Sequence, residues 1–328
     1  LWAMGTQFMW ERGSMCLYNC AYTRITDELY DDYEWMMDSL MMGVGVGFNP
    51  IRDDGMDFHV PKGTYKWVIP DTREGWAHSV AKLIKAYAIK GNKLPVFDYS
   101  EIRPMGLPIK GFGGQSSGPA PLIKLHETIQ DSIDRYESHE WYDSVILKAD
   151  IANAIGTCVV AGNVRRSAEI ACCDISDPVF MDLKNYDKYP QRAGIGWMSD
   201  NSVILENAED YSRRGVIANR VTTNGEPGYL NRRNFKFGRI GDPNYVPDNA
   251  EGLNPCGEIP LEHREVCNIS ETFPTRCKDT QTWYAALKYA TVYMSSVSLL
   301  PTHQPTTNRV VAKNRRIGAS IADWVNWK

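Results

Sequence analysis

The sequence predicts an α/β fold with parallel strands. Short strand-like segments alternate along the chain with helical segments, an order typical of parallel sheets covered by helices. The chain has 328 residues, of which 43% are hydrophobic and 23% are charged, a balance that suits a globular protein with a substantial core. One large domain fits this length as well as two small ones.

Six segments have the apolar spacing of helices. The clearest covers residues 73–87, where apolar side chains recur at helical intervals after the start signal Pro-Asp-Thr at 70–72. The other predicted helices cover residues 33–42, 122–134, 149–161, 207–219 and 282–299.

Four segments are predicted to be strands: residues 43–48, 167–172, 194–198 and 228–230. The first reads Gly-Val-Gly-Val-Gly-Phe and indicates a strand whose start is lined by glycine. It does not match the dinucleotide-binding fingerprint, because its third glycine comes too early and a strand does not clearly precede it.

Two loops could approach a ligand. Residues 110–119 are rich in glycine and serine, and residues 162–166 (Gly-Asn-Val-Arg-Arg) lie between a predicted helix and a predicted strand. The two arginines could pair with phosphates, although a solvated or salt-bridged pair is the more common outcome. The glycine-rich loop could equally be a connector.

Composition narrows the class of protein. The formal net charge of −4 does not favour a dedicated nucleic-acid binder. No apolar run is long enough for a membrane span, and the first residues lack the order of a signal peptide, so we expect a soluble cytoplasmic protein. The chain begins with Leu1 and ends without a polar tail, and we therefore expect a fragment of a longer protein.

The eight cysteines do not predict a structural disulfide framework or a zinc site. They are scattered along a long chain and include no Cys-x-x-Cys pair, so we expect no metal. A buried apolar role is the usual one for a cysteine of this kind. We predict that role for Cys16, Cys158, Cys172, Cys173 and Cys277.

Residues 254–258, Asn-Pro-Cys-Gly-Glu, combine a carboxamide, a thiol and a carboxylate in a segment that its prolines and glycine keep from forming a helix. If the segment is extended, Asn254, Cys256 and Glu258 point to one side and can converge on a small substrate. The alternative is a proline-bent turn with an incidental cysteine.

Cys20 and Cys267 lie in flanking sequences that are apolar enough to form strands. Two thiols on neighbouring strands could alternate between a dithiol and a disulfide and so supply two electrons. The sequence by itself does not establish that the two cysteines meet.

The ordered motifs resemble those of a known family. The finger-loop motif at 254–258, followed by a strand that bears Cys267, is similar to that of ribonucleotide reductases. Further motifs narrow the resemblance to the monomeric, adenosylcobalamin-dependent ribonucleoside-triphosphate reductases. They occur in order at residues 1–6, 17–20, 43–48, 68–76, 111–114, 161–170 and 300–303. Several ordered motifs are stronger support than one loop.

The resemblance implies a ten-stranded α/β barrel, here its first half with the finger loop, and adenosylcobalamin as cofactor. It implies a thiyl radical on Cys256 that removes the 3′-hydrogen of the ribose, Glu258 as general base and Asn254 as a ligand of the sugar hydroxyls. Cys20 and Cys267 would protonate the leaving 2′-hydroxyl and finish as a disulfide. A thioredoxin-like reductant or another dithiol would then reduce that disulfide.

Regulation and domain organisation are also implied by the resemblance. The segment of Gly162, Asn163, Val164, Arg165, Arg166 and Ser167 resembles the loop that senses a deoxynucleotide effector. Residues 50–100 resemble an insertion that contributes to the effector site of a monomer, within a single barrel domain over 1–328 that is truncated at both ends. Since the later barrel segment and a C-terminal cysteine pair are missing, we expect the isolated chain not to turn over.

Other functions remain open at this stage. The chain could be a large-subunit fragment of a diiron-dependent ribonucleoside-diphosphate reductase, or a nucleotide-binding remnant without chemistry. Five intact site residues, Asn254, Cys256, Glu258 and the two strand cysteines, argue against a remnant. A thiol oxidoreductase of another fold would be expected to carry a Cys-x-x-Cys motif.

Overall fold

The structure is a computed structural model that describes residues 3–53, 55–109, 114–161, 168–237 and 247–327. It contains a seven-stranded sheet, two smaller two-stranded sheets and helices packed mainly against one face of the large sheet.

The strands are numbered in chain order. They are β1 (Cys20–Arg24), β2 (Gly45–Asn49), β3 (Thr64–Val68), β4 (Leu94–Asp98), β5 (Glu169–Asp174), β6 (Ser199–Leu205), β7 (Gly228–Asn231), β8 (Gly252–Leu253), β9 (Pro260–Leu261), β10 (Glu265–Thr272) and β11 (Ile317–Ile321).

The α-helices are numbered in the same way. They are α1 (Gln7–Arg12), α2 (Leu29–Met41), α3 (Arg73–Ala88), α4 (Ala120–Ser138), α5 (Ser144–Val160), α6 (Ala208–Ser212), α7 (Arg214–Asn224), α8 (Thr280–Ser298) and α9 (Pro305–Asn314). Side chains cap several of them; for example, Thr72 accepts a hydrogen bond from the backbone N–H of Gly75 at the start of α3.

The large sheet has the strand order β11-β10-β1-β2-β5-β6-β7. Every neighbouring pair is parallel except β1 and β10, which are antiparallel. The predicted α/β class is confirmed, and the sheet is curled into part of a barrel, as the resemblance implied. The two small sheets are the parallel pair β3-β4 and the antiparallel hairpin β8-β9.

The two faces of the large sheet differ. Alternate residues such as Ala21, Val46 and Ala171 belong to the main core, together with helix α5, which is buried along nearly its whole length. The other face, called the inner face below, carries Cys20, Gly45 and Cys267, which are register partners on adjacent strands. Side chains alternate between the faces of a strand, so the chemistry-bearing residues lie away from the helices.

Most of the predicted helices are confirmed, and two predictions need correction. Residues 194–198, predicted to be a strand, lie in two 3-10 turns that end at Met198, because Pro190, Gly194 and Gly196 favour tight turns; β6 begins at Ser199. Residues 207–219, predicted to be one helix, form α6 and the start of α7, separated at Arg213.

Candidate functional site

The site is built on the glycine-lined strand β2. Alternate residues Gly45 and Gly47 face the hairpin β8-β9, whose backbone crosses the inner face of the sheet. A Cβ atom at Gly47 would lie 1.7 Å from the carbonyl oxygen of Leu253, and one at Gly45 would lie 3.0 Å from Cγ of Pro255. Glycine is therefore required for the hairpin to lie this close to the strand.

Two apolar clusters hold the hairpin on the inner face. Leu253 packs against Ile170, Cys172, Ile204 and Leu230 on one side of it. Ile259 and Leu261 pack with Tyr22 and Cys267 on the other side. The hairpin is thus fixed across the sheet by burial of its own apolar residues.

The loop at 254–258 is a turn and not the extended segment considered from the sequence. The backbone N–H of Gly257 donates to the carbonyl of Asn254 at 2.9 Å, and Gly257 has a φ of +80° that a side chain would disfavour. As a result Asn254 is fully buried whereas Cys256 and Glu258 are exposed. The three residues do not share one side through strand alternation; the turn presents Cys256 and Glu258 at its tip.

Cys20 and Cys267 face each other across the antiparallel pair β1-β10. They are register partners, and such partners have Cα atoms about 4.5 to 5.5 Å apart, within the range of a disulfide. All eight cysteines are free, so the pair is in the dithiol form. The structure thus brings together two thiols that are separated by more than two hundred residues of sequence.

Asn254 joins the thiol pair to the loop. Its Nδ2 donates to Sγ of Cys20 at 3.1 Å, while its Oδ1 accepts from the backbone N–H of Ile259 at 2.9 Å. One buried carboxamide therefore contacts a redox cysteine and fixes the turn that carries Cys256.

The pKa of each of the three thiols is raised, which keeps the thiols protonated. Desolvation raises the pKa of Cys20 to about 12, against the lowering effect of the Asn254 hydrogen bond and with a further rise from the charge of Glu258 and from Cys256. Desolvation, with the proximity of Cys20 and Glu265, raises the pKa of Cys267 well above its usual range. The pKa of Cys256 is raised as well, by partial burial and by Glu258. Neutral thiols are suited to hydrogen-atom and proton donation.

Glu258 lines an open cleft of about 670 Å³ beside the hairpin. Ile259, Ile269, Gly318 and the guanidinium of Arg316 also line it. The cleft has apolar residues at Ile259 and Ile269 and charged ones at Glu258, Glu271 and Arg316, which suits a ligand that has both kinds of surface.

The sequence reasoning missed several residues of this region. Gly252 gives space to the ring of Tyr22, since a Cβ there would lie 2.1 Å from Cε2 of the ring. Glu265, fully buried, forms an ion pair with Arg316. Tyr22 and Glu265 are each two positions from a site cysteine, so strand alternation around Cys20 and Cys267 could have found them.

The remaining cysteines differ in their burial. Cys158, Cys172 and Cys173 are buried, as predicted, whereas Cys16 and Cys277 are only partly buried. Cys172 lies on the inner face in the cluster around Leu253. The predicted effector loop, Gly162 to Ser167, lies outside the described residues, as does the 110–113 part of the glycine-rich loop.

A second cavity, of about 120 Å³, lies between the start of α3 and the end of α5. Asp71, Arg73 and Arg103 line one side, and Cys158 and Val159 of α5 line the other. Arg103 donates to Oδ2 of Asp71 at 2.5 Å and to the carbonyl of Pro108 at 3.1 Å. The cavity is therefore bounded by basic side chains and by the helix that leads to residue 162.

The described part of the chain has neither a candidate membrane span nor a cluster of metal-binding side chains. None of its helices is both long enough and apolar enough to cross a membrane. Within the same residues, the His, Cys, Asp and Glu side chains form no group of three or more that could hold a metal ion.

Comparison with known proteins supports the resemblance. A family model described as "B12-dependent ribonucleotide reductase, insertion domain" matches residues 49–133. The chain is 40% identical over 333 residues to the adenosylcobalamin-dependent ribonucleoside-triphosphate reductase of Euglena gracilis, covering 98% of this chain and 45% of the relative. It is 32% identical over 398 residues to the enzyme of that name from Lactobacillus helveticus, covering 100% of this chain and 52% of the relative.

The fold comparison agrees. A crystal structure of a B12-dependent (class II) ribonucleotide reductase matches with a TM-score of 0.82 and 27% identity, covering 99% of this chain and 52% of that one. The chain thus spans about half the length of the proteins it matches. The resemblance to the adenosylcobalamin-dependent ribonucleotide reductases is confirmed along the whole chain, for both sequence and fold.

Proposed function

We propose that this chain, a relative of the adenosylcobalamin-dependent ribonucleoside-triphosphate reductases over its whole length, carries the catalytic site of such an enzyme. The observation that carries the proposal is the contact of Asn254 with Cys20. It joins the facing pair Cys20 and Cys267 to the hairpin that presents Cys256 and Glu258. The substrate would be a ribonucleoside triphosphate, and the product the corresponding deoxynucleotide.

Cys256 would be the radical-bearing residue. It is the exposed thiol of the three, and it lies at the tip of a turn, where a large cofactor can approach. When bound, adenosylcobalamin supplies the oxidising radical that converts the thiol of Cys256 to a thiyl radical. The fit of this chain to the cofactor rests on that exposed, free thiol.

The other side chains would handle protons and electrons. The Cys256 thiyl removes the 3′-hydrogen of the ribose, and Glu258 accepts the 3′-hydroxyl proton. One neutral thiol of the Cys20–Cys267 pair protonates the 2′-hydroxyl, which leaves as water, and the other supplies the hydrogen of the new C2′–H bond; the pair gives up two electrons as it becomes a disulfide. Glu258 then returns its proton to the 3′-oxygen, and Cys256 returns its hydrogen to C3′. One ribonucleotide and two thiols thus give one deoxyribonucleotide, one water and one disulfide.

Asn254 would orient Cys20 of the thiol pair as well as the hydroxyls of the sugar. Since its Nδ2 contacts Cys20 and its Oδ1 is held by Ile259, the carboxamide is already oriented before substrate binds. Because the amide is already oriented, less free energy is needed to order the site during the reaction.

Regulation would involve the second cavity. Residues 50–100, within the segment matched by the insertion-domain model, contribute Asp71 and Arg73 to a cavity that α5 closes. We propose that a deoxynucleotide effector binds over the mouth of this cavity and that part of it enters, since about 120 Å³ is less than a whole nucleotide needs, with the loop Gly162 to Ser167 relaying its presence. The state would be monomeric, and a thioredoxin-like dithiol would reduce the Cys20–Cys267 disulfide.

The rival reading, a diiron-dependent diphosphate reductase, is less well supported. The relatives described above are named as adenosylcobalamin-dependent, and an insertion-domain model of the B12-dependent family matches this chain. A non-catalytic remnant would not need Asn254 hydrogen-bonded to Cys20 beside a free thiol pair.

The experiment is a comparison of Cys256→Ser with the unmodified protein, using the whole polypeptide that carries these residues. We expect deoxynucleotide formation from a ribonucleoside triphosphate, adenosylcobalamin and a dithiol to fall at least about a thousandfold, because serine cannot form the thiyl radical. Product is measured by chromatography.

Cys277→Ser is the matched control, because Cys277 is partly exposed but lies outside the site. We expect it to keep activity close to that of the unmodified protein. Undiminished activity in Cys256→Ser, or turnover that does not depend on adenosylcobalamin, would refute the proposed function.

A further inference from the structure

We propose that the ion group of Glu265, Arg316 and Asp248, of which Glu265 is fully buried, is a positioning unit for Cys267 that controls how fast the Cys20–Cys267 disulfide is reduced. This group is called the β10 triad below. The inference rests on the proposed function, since it assigns the triad to the redox pair of that site. It concerns residues to which neither the motifs nor the resemblance gave a role.

Glu265 is placed to act on Cys267. The two residues alternate on β10, so both side chains point to the inner face. The carboxylate is fully buried and accepts from Nε of Arg316 at 3.0 Å, from Nδ2 of Asn314 at 3.0 Å and from the backbone N–H of Glu262 at 2.7 Å. A buried carboxylate with three donors is held in one orientation.

Arg316 ties three elements together. It immediately precedes β11, its Nε binds Glu265 of β10, and its two terminal nitrogens donate to the two oxygens of Asp248 at 2.9 and 3.0 Å. Asp248 lies just before the hairpin β8-β9. This two-point contact is geometrically specific. Arg316 therefore holds strand β11, strand β10 and the segment before the hairpin β8-β9 in one arrangement.

The titratable and charged groups around Cys267 come from several elements. Cys20 faces it from β1, Tyr18 lies just before β1, Glu258 is on the hairpin loop, Glu265 is on its own strand, and Arg316 is the cation among them. The carboxylates of Glu258 and Glu265 disfavour a thiolate at Cys267, whereas Arg316 favours it. Arg316 therefore offsets the carboxylates at the sulfur.

This balance affects the reduction step. Cys20 is 5% exposed to solvent and Cys267 is fully buried, so an incoming dithiol thiolate attacks the Cys20 sulfur more readily.

A mixed disulfide then forms at Cys20, and the S–S electron pair leaves on Cys267 as a thiolate. The second thiol of the dithiol, once deprotonated, attacks the mixed disulfide and releases Cys20 as a thiolate. Two protons complete the two cysteines, and the dithiol becomes a disulfide. Reduction is faster when the leaving thiolate is stabilised.

The test compares Arg316→Met, Arg316→Lys and Glu265→Gln in the whole polypeptide, with the disulfide first formed by diamide. Reduction by dithiothreitol is followed across pH by alkylation and mass spectrometry of the Cys20 and Cys267 peptides. We expect Arg316→Met to be about threefold to tenfold slower, because its leaving thiolate has lost the cation. Glu265→Gln should be faster, and Arg316→Lys should stay near the unmodified rate.

Opposite effects of the two substitutions separate positioning from damage to the fold. Loosened packing would speed reduction in every variant, whereas loss of charge balance moves Arg316→Met and Glu265→Gln in opposite directions. Lys313→Met is the matched control, since Lys313 forms an exposed ion pair with Glu262 near the triad. We expect it to leave the rate unchanged. If Arg316→Met does not fold, Glu265→Gln is compared with Arg316→Lys: faster reduction of Glu265→Gln alone supports the positioning role, and equal acceleration of both contradicts it.

Two failures are distinguishable. If diamide does not link Cys20 to Cys267 in the unmodified protein, the proposed function fails. If the disulfide forms but Glu265→Gln and Arg316→Met are reduced at the unmodified rate, or change in the same direction, the positioning role of the β10 triad is wrong.

Discussion

At the scale of single residues, the candidate site is assembled by the turn at 254–258 and by the contact of Asn254 with Cys20. The sequence left open an extended segment, with Asn254, Cys256 and Glu258 on one side, or a proline-bent turn, and the structure has a turn. The contact of Asn254 with Cys20 joins residues 234 positions apart, so local spacing could not have predicted it. The chemical roles of these residues stay predictions.

Asn254→Ala tests this contact. Loss of two buried hydrogen bonds should lower the free energy of unfolding by about 2 to 3 kcal/mol, since Ile259 N–H and Cys20 lose their partner. The pKa of Cys20 should rise further, because the hydrogen bond from Asn254 lowers it. At a fixed alkaline pH the thiolate fraction then falls and alkylation of Cys20 slows.

Urea unfolding and the pH profile of iodoacetamide labelling measure the two effects. Asn185→Ala is the control, since Asn185 makes an exposed hydrogen bond to the backbone of Lys188, and we expect it to change stability by less than about 0.5 kcal/mol. An acid shift of the Cys20 labelling profile in Asn254→Ala would contradict the assignment.

At the scale of elements, the glycine-lined strand was predicted but its purpose was not. Alternating glycine in residues 43–48 indicated a strand whose start is lined by glycine, and the element that packs on this strand is a hairpin about two hundred positions later. The prediction of a strand at 194–198 was wrong because it gave too little weight to the turn signals of the two glycines in this segment. Local pattern thus predicts elements well, whereas pairing between distant elements needs the whole chain.

Gly47→Ala tests the hairpin's seat. Its Cβ would lie 1.7 Å from the carbonyl oxygen of Leu253, so the hairpin must move away from β2. Overpacking of this kind should cost about 1 to 3 kcal/mol in unfolding free energy. Gly215→Ala, where a Cβ meets nothing within 4 Å, should change stability by less than about 1 kcal/mol. Equal urea midpoints for the two variants would show that the hairpin does not depend on Gly47.

At the scale of the whole molecule, the fold class followed from alternating elements and the partial barrel from ordered motifs. The strand order could not follow from either. β1 pairs with β10 in an antiparallel sense, across a separation of more than two hundred residues, and this one pair creates the dithiol. Long-range pairing of this kind depends on how all the layers pack together. A local sequence pattern carries no information about that packing.

Effector binding would couple the insertion segment to the native state of the whole molecule. If a deoxynucleoside triphosphate binds the cavity between α3 and α5, it stabilises the native state by about 2.7 kcal/mol at a hundred times its Kd, and the melting temperature rises with ligand concentration. Arg103→Met removes a cation that lines this cavity and should reduce the rise at the same concentration. Arg12→Met, in an exposed ion pair with Glu74 outside the cavity, should keep it. Equal shifts in both variants would mean that the effector binds elsewhere.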